Sequence, residues 1–478
     1  MAAEAKRGNV FTRAWRAFDD RTGTSKLVGP ILRHPVPETG RIGWAYVFGS
    51  ATLFSFMTLV ATGIVLATSY IPATADAYNS LQFISHDTFG RIVRGIHYFA
   101  ASAMMICIGI HMIRVFLMGS YKFPREVNWL TGVVLFALTL AMAFTGQLLR
   151  WDQDGFWSLV VAAEQAGRMP IIGKGLAHFI FAGDTVSGAT LSRFFAIHVF
   201  FLPALIFATV ALHLYLVIHD GISEPPKAGD PVDPKTYRAK YDALLKRNGV
   251  PFWPDAAWRD AIFGVAVLCT ILLLAIIFGP KELGNQPDPS IINAYPRPDW
   301  YFLWYFGVLA LLPKGTESYV IILAPVLLFV VLFGLPFVSN HGERSPKRRP
   351  WAVGFVLLTL IMIGTLWQIA ARAPWSPHFD VQPLSAQVVG TTSGPVAQGA
   401  HLFNAKGCQY CHAVNGQGGN RGPDLTKVSG RLSQDAITIR ILNGGSNMPA
   451  YGGNLTPDEL NAIIAFLKSR EREGTNGQ

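Results

Sequence analysis

A chain of 478 residues, 51% hydrophobic and only 15% charged, is too apolar for ordinary soluble domains and reads as a protein that crosses a membrane repeatedly. Its formal net charge of +10 would suit a nucleic-acid partner, but Lys and Arg gather in alternate connections between apolar stretches, which excludes nucleic acid in favour of membrane topology. Of four cysteines, Cys107 and Cys269 stand alone in apolar stretches, so neither a disulfide framework nor an iron–sulfur cluster is implied.

The opening arm, residues 1–43, lacks the apolar core of a signal peptide, and no cleavage is expected. Within it, Val10 to Asp20 reads as an amphipathic helix lying on the membrane surface. Seven stretches then reach the length of about 20 residues needed to span a bilayer. They are 44–71, 92–118, 129–149, 194–218, 258–279, 319–338 and 351–372. The basic arm and the basic connections at 119–128, 220–257 and 339–350 belong on the cytoplasmic side, and an odd number of spans puts the C-terminus outside. The expected fold class is therefore all-α. A four-helix bundle occupies 44–222, three further membrane helices 223–372, a linker 373–397 and a small helical domain 398–472.

The second span carries His97 and His111, the fourth His198 and His213, at intervals of 14 and 15 residues. Four helical turns take about 14.4 residues, so each pair lies near one face, roughly 21 Å apart along the axis. Two such helices side by side make two bis-imidazole sites at two depths, which suits two haem b groups. Ionisable groups at membrane depth point to function by default. His97 and His198 come early in spans that run inward, so they form the outer level, and His111 and His213 form the inner one. Gly49 and Gly63 in the first span, and Gly132 and Gly146 in the third, repeat the 14-residue interval. Missing side chains at both depths leave room for flat macrocycles close to the flanking backbones. Arg94 and Arg114 stand near the two levels at opposite ends of span two; propionate pairing and snorkelling at a helix end are both open on spacing alone.

After span three, an outer connection opens on Arg150-Trp151-Asp152-Gln153. Further on, Pro298-Asp299-Trp300-Tyr301 offers a carboxylate and a phenol framed by proline and aromatics, suited to a quinol headgroup and its proton. On the inner side, His219 and Asp220 follow His213 closely.

These motifs, with RGIHYFAASAMM, HMIRVFLMGSYKFPREVNWLTGVVL, TGQLLRWDQDGFW, TLSRFFAIHVFFLP and PDWYFLWYFGVLALLPK, resemble the cytochrome b family of quinol:cytochrome c reductases, the bc1 and b6f complexes. The resemblance runs from about residue 10 to 372. The 15-residue interval between His198 and His213 matches the b6 branch, and residues from about 250 onward are similar to the separate three-helix subunit of b6f. The resemblance implies that PDWY forms the quinol oxidation site, with Asp299 in place of the family's usual Glu, and that Trp151 lies in the same neighbourhood. It favours haem propionates as partners of Arg94 and Arg114. It also makes His219 a candidate contact at a quinone reduction site, beside the alternative of a solvated helix end. No cysteine stands near Val47, where the b6 branch tethers a third haem, so that haem is not expected.

The remaining residues, from Gln398 to Ser469, carry Cys408-Gln-Tyr-Cys411-His412, the attachment signature of c-type haem. Two thioethers and the adjacent His412 imidazole fix covalent attachment and one axial ligand. Gly422-Pro423-Asp424-Leu425, Asn447-Met448-Pro449 and a helix from Pro457 to Lys468 resemble class I cytochromes c, which implies Met448 as the second ligand. His/Met ligation gives a higher potential than two histidines and suits an electron exit.

The sequence thus leads to the core subunit of a quinol:cytochrome c oxidoreductase with two haems b and one covalent haem c. By resemblance, quinol is oxidised at the outer face, one electron passes through a separate Rieske iron–sulfur protein to haem c, and the other crosses the b haems to an inner quinone. Proton translocation, a homodimer, and a soluble or membrane-attached cytochrome c or a terminal oxidase as acceptor follow on the same ground. The expected location is a bacterial inner membrane, with lipid around the spans and the cytochrome c domain periplasmic. The alternatives are a di-haem anchor between a dehydrogenase and the quinone pool, which needs neither PDWY nor a cytochrome c, and a haem sensor, which needs an open axial position.

Overall fold

The computed structural model describes residues 9–183, 186–288, 296–313, 316–372, 381–419, 422–444, 448, 450–452 and 454–470. Among them, seven helices are long and apolar enough to cross a membrane: Gly40–Ala67, Thr88–Leu117, Glu126–Leu148, Gly188–Asp220, Phe252–Ile277, Tyr319–Val338 and Pro350–Arg372, here spans one to seven. All seven expected spans are present. The termini differ because capping, rather than hydropathy, ends a helix; span two begins at Thr88, where the Asp87 side chain accepts from Gly90 N at 2.8 Å.

Span one packs on span two and span three on span four, and span five lies against both one and two. Close approach is made by small residues: a Cβ on Gly95 would stand 3.1 Å from the Ala275 Cβ, joining spans two and five. Span six meets span three, where Trp129 Nε1 donates to the Leu332 carbonyl at 2.7 Å. A shorter apolar helix, Trp300–Leu311, packs along span seven and carries the end of the PDWY motif. Large apolar side chains point away from the bundle, as with Leu358 at 69% exposure, which is the surface that lipid covers.

One end of the bundle gathers the basic connections. Lys122 Nζ donates to the carbonyls of Ser339 and His341, Arg125 Nε to that of Gly221, and Arg344 pairs with Glu224 at 2.5 Å. A two-stranded antiparallel pairing, Pro35–Pro37 with Gly249–Pro251, ties the N-terminal arm into this layer. The expected surface helix is present as Val10–Thr22, with Val10, Phe11, Trp15 and Phe18 exposed. The opposite end holds helices Ala77–His86, Gln153–Gly167 and Gly173–Phe181, which hydropathy did not announce because they are short and not long enough to span.

The C-terminal domain lies at that same end, outside the bundle. Helices Gly394–Ala405, Gln434–Asn443 and Pro457–Lys468 enclose a core of Phe403, Ile441, Ile463 and Phe466. Gly399 crosses the Ala462 carbonyl so closely that a Cβ has no room. The stretch expected to be linker up to 397 departs from expectation: it includes helix Ala386–Val389, and Leu384, Val388 and Val389 are buried in this core. A domain this small recruits every apolar side chain within reach, even from a segment rich in Pro, Ser and Gly. Residues 373–380 of that stretch lie outside the described residues.

Candidate functional site

Each of the four glycines faces one of the four histidines. A Cβ built on Gly63 would stand 3.3 Å from His97 Cε1, one on Gly146 2.8 Å from His198 Cε1, one on Gly49 3.0 Å from His111 Cε1, and one on Gly132 3.5 Å from His213 Cε1. Spans one and three are therefore pressed on the imidazoles of spans two and four. The glycines clear space for the histidine rings themselves. The outer level is Gly63, His97, Gly146 and His198; the inner is Gly49, His111, Gly132 and His213.

Span four reaches both levels despite its extra residue. Its turn Ile197–Phe201, which contains His198, is a π-helix flanked by α-helix on both sides. A π turn absorbs one residue more than an α turn. The 15-residue interval is thereby returned to the face and depth that 14 residues give span two.

Threonines orient the rings. Thr62, Thr131 and Thr145, each immediately before a glycine of the set, place Oγ1 3.0, 2.8 and 3.0 Å from Nδ1 of His97, His213 and His198. Each hydroxyl also donates its one proton to a backbone carbonyl, of Thr58, Asn128 and Ala141 respectively. It is left to accept from Nδ1–H, which fixes the tautomer and leaves the Nε2 lone pair for a metal. The Thr-Gly dipeptides were visible in the sequence at three places, but their meaning needs the neighbouring helix. At the fourth place Phe48 precedes Gly49, and Ser50 instead donates to Asp260 at 2.6 Å.

These residues fit haem. The His97 and His198 ring centroids are 6.5 Å apart. A nitrogen–metal bond of about 2.0–2.1 Å on each side gives roughly that separation for two imidazoles sharing one ion. Among the described residues, no three His, Cys, Asp or Glu converge to hold a bare ion. Pairs of imidazoles suit an ion whose other ligands come from a macrocycle. Arg114, over the Tyr46 ring at 3.4 Å, has buried Nε and Nη2 without a partner, as a guanidinium awaiting an anion would. Arg94 differs: it donates to Ser85 Oγ and the Lys281 carbonyl, both at 2.9 Å. Arg150 pairs with Asp152 yet keeps buried Nε and Nη1 unpartnered, so at the outer level it presents the open donors.

A single cavity is walled by His97, His198, Gly63 and Gly146 of the outer level and by Arg94, Arg150, Asp299 and Tyr301. Tyr301 OH donates to Asp299 Oδ2 at 2.8 Å, and Trp300 Nε1 donates to Ser102 Oγ at 3.3 Å, fastening the motif to span two. Trp151 does not join them. Its ring packs in an apolar cluster with Ala77 and Leu191, because a left-handed backbone (φ 45°) at the end of span three turns it away while Arg150 faces the cavity. At the inner end, His219 is exposed, 3.1 Å from Asp220 and stacked on Tyr215, whereas Ser50, which donates to Asp260, directly follows Gly49, the glycine that faces His111. Asp260 is a carboxylate in the first turn of helix Ala257–Ile277, beside Arg259 at the start of span five, and sequence reading passed it over.

In the C-terminal domain, His412 Nδ1 donates to the Pro423 carbonyl at 2.8 Å, and Gly422 leaves the ring room. Burial holds this imidazole below its ordinary value, so it is neutral at pH 7 with Nε2 available. Burial pushes the Cys408 thiol up to about 12, so it is a neutral thiol at pH 7. Met448 and Cys408 both pack against the domain core. Asn447 and Pro449 lie outside the described residues.

Comparison with known proteins agrees with this anatomy. Residues 102–286 match the family model described as cytochrome b(N-terminal)/b6/petB, and 288–388 match cytochrome b(C-terminal)/b6/petD. Cytochrome b of Rhodospirillum rubrum is 30% identical over 374 residues, covering 76% of this chain and 87% of that protein. The chain belongs to the cytochrome b family. Residues 394–467 of this cytochrome b match the model for cytochrome C oxidase, cbb3-type, subunit III, so a cytochrome c domain is fused to it. Cytochrome b/c1 of Bradyrhizobium diazoefficiens is 30% identical over 72% of this chain, which spans 48% of that longer protein. The same fold occurs in a chain of a hyperthermophilic respiratory Complex III, with a TM-score of 0.63 at 24% identity over 82% of this chain and 95% of that one. Cytochrome b and cytochrome c domains imply haem b and haem c in one multi-pass membrane protein.

Proposed function

We propose that this cytochrome b–c fusion is the membrane subunit of a quinol:cytochrome c oxidoreductase that oxidises quinol at the outer cavity and reduces quinone at the inner end. The carrying observation is that one cavity is walled both by the outer histidine pair and by the hydrogen-bonded Asp299 and Tyr301. Asp299 accepts a proton from the quinol hydroxyl and releases it outward; Tyr301 aims the carboxylate. His97 with His198, and His111 with His213, hold two haems b, while Cys408, Cys411, His412 and Met448 hold haem c. When bound, these groups supply reversible one-electron steps. Arg114 and Arg150 neutralise propionates at the inner and outer levels, with Arg94 bracing the outer wall. The chain has no Rieske-type Cys/His motif, so the first electron acceptor is a separate iron–sulfur protein, and the complex is a dimer in a bacterial inner membrane with the N-terminus cytoplasmic and the cytochrome c domain periplasmic. Asp260 with Ser50, beside the inner level, supports an inner quinone site at that place more directly than exposed His219 does.

Replacing Asp299 by Asn keeps the Tyr301 bond but removes the base. Quinol-driven cytochrome c reduction by the complex with its iron–sulfur partner is expected to fall by about 10²–10⁴-fold, with both b haems still present in the spectrum. Turnover at the wild-type rate would defeat the assignment.

A further inference from the structure

Among the described residues, a hydrogen bond joins the membrane domain to the cytochrome c domain. Asn454 Nδ2 donates to Asp288 Oδ1 at 2.5 Å. Neither residue is loosely presented. The Asp288 amide donates to Gln153 Oε1 at 2.7 Å, and its carbonyl accepts from Gln153 Nε2 at 2.9 Å, so the backbone is gripped from both sides. On the other domain the Asn454 carbonyl accepts from Lys406 Nζ at 3.2 Å, and the Asn454 amide donates to the Tyr451 carbonyl at 2.9 Å. Lys406 is itself held by Glu459 at 3.2 Å. Both sides are thus fixed before they meet, which lowers the ordering cost of contact.

The position of the bond gives it a use. Gln153 follows directly on Arg150 and Asp152, and Asp152 accepts from Gly284 N at 3.0 Å in the same loop as Asp288. Pro280 and Lys281, at the start of that loop, line the outer cavity. Asn454 lies six residues beyond Met448, in the segment that carries the expected haem c ligand.

We infer that Asp288 and Asn454 form a docking latch that seats the cytochrome c domain on the rim of the outer cavity, in position to receive electrons that leave it. The two are positioning residues, and the inference rests on reading that cavity as the quinol oxidation site.

The test is to mix quinol with the complete purified complex and follow b and c absorbance separately. Asn454→Asp, which sets two carboxylates face to face, and Asp288→Ala should slow haem c reduction by about tenfold or more, the population shift expected on losing one charge-assisted hydrogen bond, with haem b reduction unchanged. Asp288→Asn keeps an acceptor and should stay near wild type. The exchange of both residues, D288N with N454D, restores a donor opposite an acceptor and should recover the wild-type rate, which a merely structural role would not do. Unchanged or faster haem c reduction in N454D, or no recovery in the exchange, overturns the latch while leaving the cavity assignment standing. Wild-type complex in which quinol reduces neither b nor c overturns both.

Discussion

In the membrane bundle large apolar side chains such as Leu358 and Val330 face outward, and the four paired histidines are set by glycine and threonine; in the cytochrome c domain Phe403, Ile463 and Phe466 face inward, and the cysteines and histidine lie within five residues of sequence. Lipid is as apolar as leucine, so hydrophobicity in the bundle does not distinguish inside from outside, and helix approach is governed by small residues and hydrogen bonds. In water the apolar core does that work, and the haem signature needs only a scaffold to carry it. One site is built from residues that meet across four helices, the other from a short local run.

Experiments that delete a ligand separate the two most sharply. In His97→Ala the outer b-type absorption should vanish while the c band stays, and in Cys408→Ala with Cys411→Ala the c band should vanish while both b bands stay; difference spectra of the purified chain, with two b and one c in the wild type, read this directly. Loss of all bands together in either variant would show that the regions are not independent.

Glycine replacements sharpen the contrast further. The clearance for a Cβ falls in the order Gly132, Gly63, Gly49, Gly146 (3.5, 3.3, 3.0 and 2.8 Å). Haem b content after single Gly→Ala changes should fall in that order, slightly at Gly132→Ala and most at Gly146→Ala, measured as the b-to-c absorbance ratio. An equal response at all four would mean the glycines serve helix packing alone.

Threonine changes act more gently. Thr131→Val and Thr145→Val keep the shape but remove the acceptor of Nδ1–H, and second-sphere losses of this kind cost about 10–100-fold in affinity for the metal group. Reconstitution titrations should show it at the inner level in Thr131→Val and at the outer level in Thr145→Val, the other level serving as the internal comparison.

The smallest effect lies in the water-exposed domain. Thr456 and Glu459 cap helix Pro457–Lys468 reciprocally, and Thr456→Ala should cost about 1 kcal/mol in denaturant unfolding of that domain. Hydrogen bonds from Thr456 and the neighbouring Lys406 hold Glu459 below its ordinary value of 4.5. Its folded value is depressed, so its contribution is complete above 4.5 and fades as pH falls through the folded value, read as an acid limb in the denaturant unfolding of that domain.

Much of this was legible in the sequence because helical periodicity survives without a structure. Seven spans, two histidine levels, the glycine interval and the haem c signature all repeat at intervals set by 3.6 residues per turn or stand side by side. What escaped depends on contacts between distant residues or on local backbone. Ser50 and Asp260 are 210 positions apart. The family resemblance puts Trp151 near the PDWY motif, whereas the positive φ at this residue turns its ring into the cluster with Ala77 and Leu191. The π turn at His198 was implicit in the 15-residue interval but not recognisable from it, since the same count fits a helix that is slightly rotated.

The layer of buried cations at the inner end has a consequence for how the gene product can be divided. Lys122 grips the carbonyls of Ser339 and His341, Arg344 grips Glu224, and Trp129 grips Leu332, so the first four spans and the last three are riveted by groups that do not use the peptide between them. A chain severed in the exposed stretch around Asp230 and made as two polypeptides keeps every one of those rivets and should still assemble.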